Sequence, residues 1–451
     1  MAHSAEDARW LAPAGVIAAV CLGWALQLSN GFLNPAAMGL VALAFAVFVT
    51  ATMLPRPGRL ADLDPGIVGG LAAAGLVLHL WYLFTTPPGM YLQVEPGGHL
   101  VFSAGVAVIA AVGAAALWGP TGWVKAALVV ILAATHFGLG VWVMRRSPDP
   151  AIDVHMFHRY AIDALRSGVN PYAITFPDIY KNADFYGPGL SVDGRLQFGF
   201  PYFPLSLLVA VPGQVFGKDP RFAQLAAMEL AAILMAFSRR QGFGLLAAAL
   251  FLSTPRIFFV LEQSWTEPFV VFGLATVAFA ACRMPRAVPW LFGAFVALKQ
   301  YLVFALPAAA LLVGTPIAWR RVMALLTKAA VVGAVITLPF FFWNPTAFWN
   351  SVVTLQFHQP FRPDALSALA WWNSQGHQPP SSAIPFAVAA LTSGLAIWRL
   401  PRTAAGFSAA IAATFFAFFG FNKQAFCNYY FFVAGALLVT VSAWQAPEAD
   451  R

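Results

Sequence analysis

Charged side chains are scarce in this chain of 451 residues, since Asp, Glu, Lys and Arg together make up only 10% of it. Water-soluble domains carry about 25% charged residues, so the composition excludes an ordinary water-soluble fold. Hydrophobic residues account for 60% of the sequence. Such a composition is typical of a chain that lies mostly in a lipid bilayer.

Cysteine is also rare, and the three cysteines are Cys21, Cys282 and Cys427. They lie in or beside apolar segments, and no two of them have the CxxC spacing of a metal or redox site. A disulfide framework and a cysteine zinc site are therefore excluded.

Long basic runs are missing, although the formal net charge is +8. A nucleic-acid partner is therefore not expected. The basic residues instead form short pairs between apolar runs, as the cytoplasmic loops of membrane proteins do. These pairs are Arg56/Arg59, Arg239/Arg240, Arg283/Arg286, Arg320/Arg321 and Arg399/Arg402.

Apolar runs of about 20 residues, the length that crosses a bilayer, fill most of the chain. Because they lack the strict alternation of strands, they predict helices. We expect an all-α polytopic integral membrane protein of roughly 11–14 transmembrane helices. The run 288–312, with Lys299 near its centre, predicts a broken or re-entrant pair.

The chain divides into five predicted regions. Residues 1–144 form N-terminal transmembrane helices, and 145–200 form an extracytoplasmic loop with an amphipathic helix. Residues 201–343 form a central transmembrane bundle, 344–382 a second extracytoplasmic loop, and 383–451 the C-terminal transmembrane helices. We expect a multi-pass protein of the inner (plasma) membrane, and the charge pattern places both polar loops outside.

The first polar loop has an unusual density of charge. Asp153 is suited to cap a helix that ends before Gly168. One face of this helix is apolar, and we expect that face to lie on the membrane. The apolar positions are Met156, Phe157, Tyr160, Ala161, Ala164 and Leu165, whereas His155, His158, Arg159 and Arg166 lie off this stripe.

A motif runs through the same loop: Asp153, Phe157, Ala161, Gly168, Asn170-Pro171-Tyr172, and then Tyr202 and Pro204. It resembles the GT-C superfamily of membrane glycosyltransferases, and most of all the bacterial branch that transfers mannose or arabinofuranose from polyprenyl-phosphate donors. Weaker similarities are Lys299 before an apolar run, and Lys423-Gln424 followed by Asn428-Tyr429-Tyr430. The resemblance covers about residues 145–445, and about five predicted spans precede it.

The resemblance implies an inverting glycosyltransferase with Asp153 as the general base. The donor would be a polyprenyl-phosphate sugar, and the acceptor an extracytoplasmic glycolipid or glycan. Cationic and hydrogen-bonding groups would hold the donor phosphate or the acceptor. The candidates are His155, His158, Arg159, Lys299, Lys423, Glu262, Arg362 and Tyr429. No cofactor is expected, although Asp153, His155 and His158 have a spacing that could bind a divalent metal.

Other interpretations remain open at this level. Asp153 could be a plain helix cap, Lys299 and Lys423 could extend to the membrane interface, and Glu267 before Pro268 predicts an acid in a first helical turn. The main alternative function is a transporter or lipid-linked sugar flippase without bond making. Lys299 and Glu229, each within an apolar run, favour that alternative.

Overall fold

The computed structural model describes residues 10–53, 65–93, 98–181, 183–378 and 381–445, so Arg56 and Arg59 lie outside the described residues. Helices dominate these ranges, as the composition predicts. The α-helices are α1 Leu11–Ser29, α2 Pro35–Met53, α3 Pro65–Thr85, α4 Leu100–Ala116, α5 Gly122–Arg146, α6 Asp153–Arg166, α7 Ala183–Tyr186, α8 Pro204–Gly217, α9 Arg221–Phe237, α10 Gly244–Leu252, α11 Ile257–Glu262, α12 Glu267–Arg283, α13 Val288–Val296, α14 Trp319–Trp343, α15 Pro345–Trp349, α16 Leu355–His358, α17 Ala368–Ser374, α18 Ile384–Arg399, α19 Ala404–Gly420 and α20 Cys427–Ala443.

Other regular elements are short, with one exception. Two 3-10 helices span Pro285–Ala287 and Gln300–Leu312, and a π-helical turn spans Asn350–Thr354. Strands β1 Phe176–Pro177, β2 Ser191–Val192 and β3 Arg195–Leu196 form a small antiparallel sheet in the order β1-β3-β2. The 3-10 helix from Gln300 has 13 residues, whereas runs longer than 3–4 are uncommon.

Five helices in the described part of the chain are long and apolar enough to cross a membrane. They are Leu11–Ser29, Pro35–Met53, Gly66–Thr85, Gly122–Arg146 and Trp319–Trp343. Helices α8 and α9 are bent by 113° and count as a sixth candidate if taken as one span. Shorter apolar helices, including α4, α18, α19 and α20, lie beside them.

The centre of the bundle is formed by α19 and α20. All residues of α19 and nearly all of α20 are buried. Helix α20 packs against α1, α10, α12 and α19, and α1 in turn packs against α2 and α3. Helix α14 is peripheral, since only four of its residues are buried: Val322, Leu325, Ala329 and Phe340.

Side-chain contacts define one end of the bundle, here called the basic end. The Lys125 ammonium donates to the Arg239 carbonyl at 3.1 Å, and the Arg239 guanidinium donates to the Ala443 carbonyl at 3.1 Å. Arg283 donates to the Phe237 carbonyl at 3.3 Å. Helix α5 therefore begins at this end, whereas α9, α12 and α20 end there.

The opposite end carries α6 and the small sheet. Arg221, at the start of α9, is fully buried and donates to the Ser147 carbonyl at 2.8 Å, just beyond the end of α5. Its guanidinium also pairs with Asp219 at 2.6 Å. This neighbour neutralises Arg221, whereas Arg239 and Arg283 at the basic end have no ion-pair partner within the described ranges.

Helix α6 differs from its sequence prediction in two respects. It begins at Asp153 itself, with Ile152 in the capping position, so Asp153 is a first-turn residue and not the cap. Its buried face also includes both predicted off-stripe histidines, His155 and His158, whereas Tyr160 is exposed. The reason is that α6 packs against α8 and β1, so protein covers more of its surface than one apolar stripe.

The prediction of a break at Lys299 is confirmed. Helix α13 ends at Val296, Lys299 has an extended backbone, and the 3-10 helix begins at Gln300. The break frees the Lys299 side chain from a helix surface and directs it toward the start of α12, where it pairs with Glu267.

Candidate functional site

A cavity of about 790 Å³ lies at the end of the bundle opposite the basic end. Of the candidate catalytic and binding residues, four line it: Asp153, Lys299, Lys423 and Tyr429. They come from α6, from the break before the 3-10 helix, from the α19–α20 connection and from the first turn of α20. The fold thus gathers scarce charges from distant parts of the sequence into one space.

Asp153 is fixed in the cavity wall by two tyrosines. The Tyr186 hydroxyl donates to Asp153 Oδ2 at 3.1 Å, and the Asp153 backbone N–H donates to the Tyr180 hydroxyl at 3.2 Å. The two tyrosine rings stack at 6.0 Å. Asp178 builds the turn that carries Tyr180, because its Oδ1 accepts from the backbone N–H groups of Tyr180 and Lys181.

This environment changes the acidity of Asp153. Burial raises the pKa of the carboxyl group to about 6, and the hydrogen bond from Tyr186 acts in the opposite direction by favouring the ionised form. A carboxylate with this pKa is ionised at neutral pH and takes up a proton more readily than an exposed aspartate. These are the properties of a general base.

Lys299 forms the cationic part of the wall. Its ammonium pairs with Glu267, the first residue of α12, and the Tyr301 hydroxyl donates to the same Glu267 oxygen at 3.4 Å. The ammonium also lies 5.0 Å from the ring centre of Tyr202, 5.3 Å from that of Tyr301 and 5.7 Å from that of Tyr429. Aromatic faces attract a cation at these distances.

Lys423 connects two loops at the rim of the cavity. Its ammonium donates to the carbonyls of Gln359 at 2.5 Å and Phe357 at 3.4 Å. The Arg362 backbone N–H donates to the Lys423 carbonyl at 3.0 Å. Burial lowers the pKa of the Lys423 ammonium from its usual value. The second polar loop is in this way tied to the α19–α20 connection.

The rest of the lining divides into an amide-rich part and an apolar part. Gln300, Gln356, Asn422 and Gln424 supply neutral amides, and the buried Gln300 Oε1 has no hydrogen-bond partner among the described residues. The apolar part consists of Val303, Phe304, Phe357, Pro385, Phe386 and Phe418. Three of these, Val303, Phe357 and Phe386, are also exposed, so this part of the cavity wall is apolar and accessible.

No protein-family model matches this chain, and neither a curated protein nor a solved structure matches it. The chemistry of the cavity therefore has to be inferred from its own side chains.

The two histidines of α6 do not line the cavity. His155 and His158 are both buried, and burial lowers the pKa of their imidazoles, to about 3 and about 4 respectively. Both are therefore neutral at pH 7. His158 Nδ1 hydrogen-bonds to the Val154 carbonyl at 2.9 Å, and its ring stacks on Tyr202. It supports the cavity wall from behind.

Three other candidates lie elsewhere. Arg159 is on the surface, 3.8 Å from Asp149. Glu262 is fully buried, and its carboxylate accepts from the Met90 and Tyr91 backbone N–H groups at 2.6 and 2.9 Å. Arg362 pairs with Asp364 at 2.7 Å. None of these three residues belongs to the cavity lining.

Two polar partners in the site were not selected from the sequence. Tyr186 donates to Asp153, and Glu267 pairs with Lys299. Tyr186 ends the short helix α7, which no local sequence pattern indicates. Glu267 does begin a helix, as predicted, but only the return of the chain at Lys299 makes it part of the site.

A metal centre has no clear ligand set in the described part of the chain. No group of three or more His, Cys, Asp or Glu side chains is arranged there to hold a metal ion. Asp153, His155 and His158 do not converge on a common point, because Asp153 lines the cavity whereas the histidines do not.

Proposed function

We propose that this protein is a polytopic membrane glycosyltransferase of the GT-C type, which uses a polyprenyl-phosphate sugar and acts on an extracytoplasmic glycolipid or glycan. The membrane part of the proposal is supported by the long apolar helices and by large hydrophobic side chains on the outer surface, including Val77, Trp118, Trp123 and Phe342. Soluble monomers rarely expose such a surface, whereas membrane lipids cover it. The shorter apolar helices complete the proposed bundle of 11–14 spans.

One observation carries the catalytic part of the proposal. A single cavity contains a carboxylate whose pKa is about 6, two lysines, neutral amides and an accessible apolar wall. A glycosyl transfer from a lipid phosphate needs a base, a cation for the leaving phosphate, donors for sugar hydroxyls and space for an isoprenoid chain. Each requirement has a counterpart among the lining residues.

The proposed reaction is a direct displacement. Asp153 takes the proton of the acceptor hydroxyl while the hydroxyl oxygen attacks the anomeric carbon of the donor sugar. The bond between that carbon and the phosphate oxygen breaks, and its electron pair stays on the phosphate. Lys299 contacts the phosphate, and the Lys423 ammonium, which is bound to neutral carbonyls, stabilises the negative charge that develops on it. Attack opposite to the leaving group inverts the configuration of the anomeric carbon.

The volume of the cavity suits a substrate that is only partly enclosed by the protein. Pockets of 300–1,000 Å³ hold ligands of drug size, so about 790 Å³ is suited to a sugar phosphate and a short part of a lipid. The remaining chain would leave past the apolar wall formed by Val303, Phe357 and Phe386. There it would meet the bilayer that covers the surrounding apolar surface.

A transfer assay with purified protein tests the proposal. Decaprenyl-phosphate mannose and decaprenyl-phosphate arabinofuranose, labelled in the sugar, are incubated with short mannoside and arabinofuranoside acceptors. We expect transfer by the wild type and a loss of at least about a hundredfold in Asp153→Asn, since general-base catalysis contributes 10²–10⁴-fold. The matched control is Asp163→Asn, on the exposed face of the same helix.

The outcomes separate the hypotheses. Transfer that persists in Asp153→Asn contradicts the role of Asp153 as the base. A transporter or flippase is the second candidate, favoured by the buried pair of His136 and Glu229 at 2.6 Å between α5 and α9. It would leave the label on the lipid and instead move the intact lipid across the bilayer of proteoliposomes.

A further inference from the structure

The charge around Lys299 is balanced before any ligand binds. Its ammonium pairs with Glu267, which is fully buried, and the second oxygen of that carboxylate has no hydrogen-bond partner among the described residues. The formal charges of the two side chains cancel. The three surrounding tyrosines are neutral, so the immediate neighbourhood of Lys299 has no surplus positive charge.

A ligand phosphate at Lys299 would bring a negative charge close to Glu267. In a buried environment two like charges repel far more strongly than in water. A second negative charge on the ligand doubles both the attraction to Lys299 and the repulsion from Glu267, so the paired site gains little from it, whereas the cost of removing the ligand from water rises steeply with its charge. Among the described lining residues the other cation is Lys423, whose ammonium is already bound to the carbonyls of Phe357 and Gln359.

We propose that Glu267 is a specificity-determining residue that makes the anion subsite at Lys299 bind singly charged phosphodiesters in preference to doubly charged phosphomonoesters. This inference rests on the proposed function and deepens it. The donor, a polyprenyl-phosphate sugar, is a phosphodiester with one negative charge. The lipid product is a phosphomonoester, which carries about −1.5 to −2 at pH 7.

As a consequence, the site binds the lipid product less tightly than the donor at the end of the reaction. When the bond between the anomeric carbon and the phosphate oxygen breaks, the electron pair stays on that oxygen and the acceptor proton goes to Asp153. The phosphate thereby gains one negative charge next to Glu267. Repulsion by Glu267 then weakens the binding of the product relative to the next donor molecule.

Binding measurements test this preference without any sugar transfer. The probes are farnesyl phosphate, a monoester, and its methyl diester, which have the same chain and are titrated at pH 8 into the purified protein in detergent. We expect the wild type to bind the diester at least tenfold more tightly. In Glu267→Gln the monoester should gain affinity until the two dissociation constants are nearly equal. Lys299→Gln should weaken the binding of both.

Two controls keep the interpretation specific. Asp163→Asn removes a negative charge from the exposed face of α6 and should leave the ratio of the dissociation constants unchanged. Glu267→Asp retains the charge and should retain the preference. Comparing ratios between variants also cancels any difference in how the two lipids partition into detergent.

Several results would overturn the inference. An unchanged ratio in folded Glu267→Gln removes Glu267 as the determinant. If that variant does not fold, the ratio is measured in Glu267→Ala, where an unchanged preference likewise removes Glu267 as the determinant. Normal binding without a preference overturns this inference but leaves the proposed donor class intact, whereas a wild type that binds neither lipid overturns both.

Discussion

At the scale of single residues, the acidity of Asp153 controls the proposed activity. The base acts in its ionised form, and burial places its pKa at about 6. Transfer activity should therefore be constant above neutral pH and fall as the pH decreases through about 6. Tyr186 counteracts the effect of burial, because its hydroxyl donates to the ionised carboxylate.

Replacing Tyr186 with Phe removes this donor, so we expect the pKa of Asp153 to rise. The acid limb of kcat/KM against pH should move to higher pH by roughly half a unit to one unit, since one hydrogen bond contributes roughly 1 kcal/mol and 1.36 kcal/mol corresponds to one unit. The control is Tyr160→Phe, an exposed tyrosine on α6, the helix that carries Asp153. An acid limb that stays in place, or moves to lower pH, would show that Tyr186 does not stabilise the ionised base.

The sequence predicts the individual charges of the site better than their partners. Asp153, Lys299 and Lys423 stand out because ionisable groups are costly in an apolar chain. Glu267 was predicted as an ordinary first-turn acid, since a local pattern contains no information on the distant Lys299. His155 and His158 were selected for their polarity, but packing from α8 and β1 leaves them buried and neutral.

At the scale of elements, the connection between α6 and α8 sets the shape of the cavity. Gly199 lies on this connection, and its backbone N–H donates to Ser351 Oγ at 2.9 Å. A Cβ at position 199 would lie 2.2 Å from the Tyr172 carbonyl oxygen. Because the nearest atoms of Tyr172 belong to the backbone, the backbone has to shift before a methyl group fits at position 199.

Gly199→Ala should therefore destabilise the protein by about 1–3 kcal/mol, the usual cost of overpacking. It should also displace Pro201 and Tyr202, which line the cavity. The control is Gly333→Ala, within α14, where a Cβ meets open space and alanine is favoured over glycine in a helix. Melting curves in detergent compare the two variants, and equal melting temperatures would contradict the proposed close approach.

Hydropathy predicts the long elements and fails on the small ones. The first two apolar runs of the sequence form α1 Leu11–Ser29 and α2 Pro35–Met53. The small sheet was not predicted, because strands of two residues are too short to show alternation. Nor does an apolar run distinguish the 3-10 helix at Gln300–Leu312 from an α-helix, since both bury the same kinds of side chain.

At the scale of the whole molecule, the cavity determines which loops share a side of the membrane. Residues of the first polar loop, such as Asp153, line it together with Gln356 of the second loop and Lys423 of the α19–α20 connection. Three segments that meet in one space at the bundle end must face the same compartment. In the proposed topology, the positive-inside pattern predicts that the arginines at the basic end face the cytoplasm.

Cysteine labelling tests this topology in intact cells. In a background without Cys21, Cys282 and Cys427, a membrane-impermeant maleimide should label Ser167→Cys and Ser374→Cys, which are exposed and belong to the two polar loops. Met284→Cys, an exposed site next to Arg283 at the basic end, should be labelled only after the membrane is permeabilised. Labelling of Met284→Cys alone in intact cells would reverse the orientation and move the cavity to the cytoplasmic side, where a glycan acceptor outside the cell could not reach it. Labelling of Ser167→Cys and Ser374→Cys from opposite sides would be incompatible with a shared cavity, and the proposed site would then be wrong.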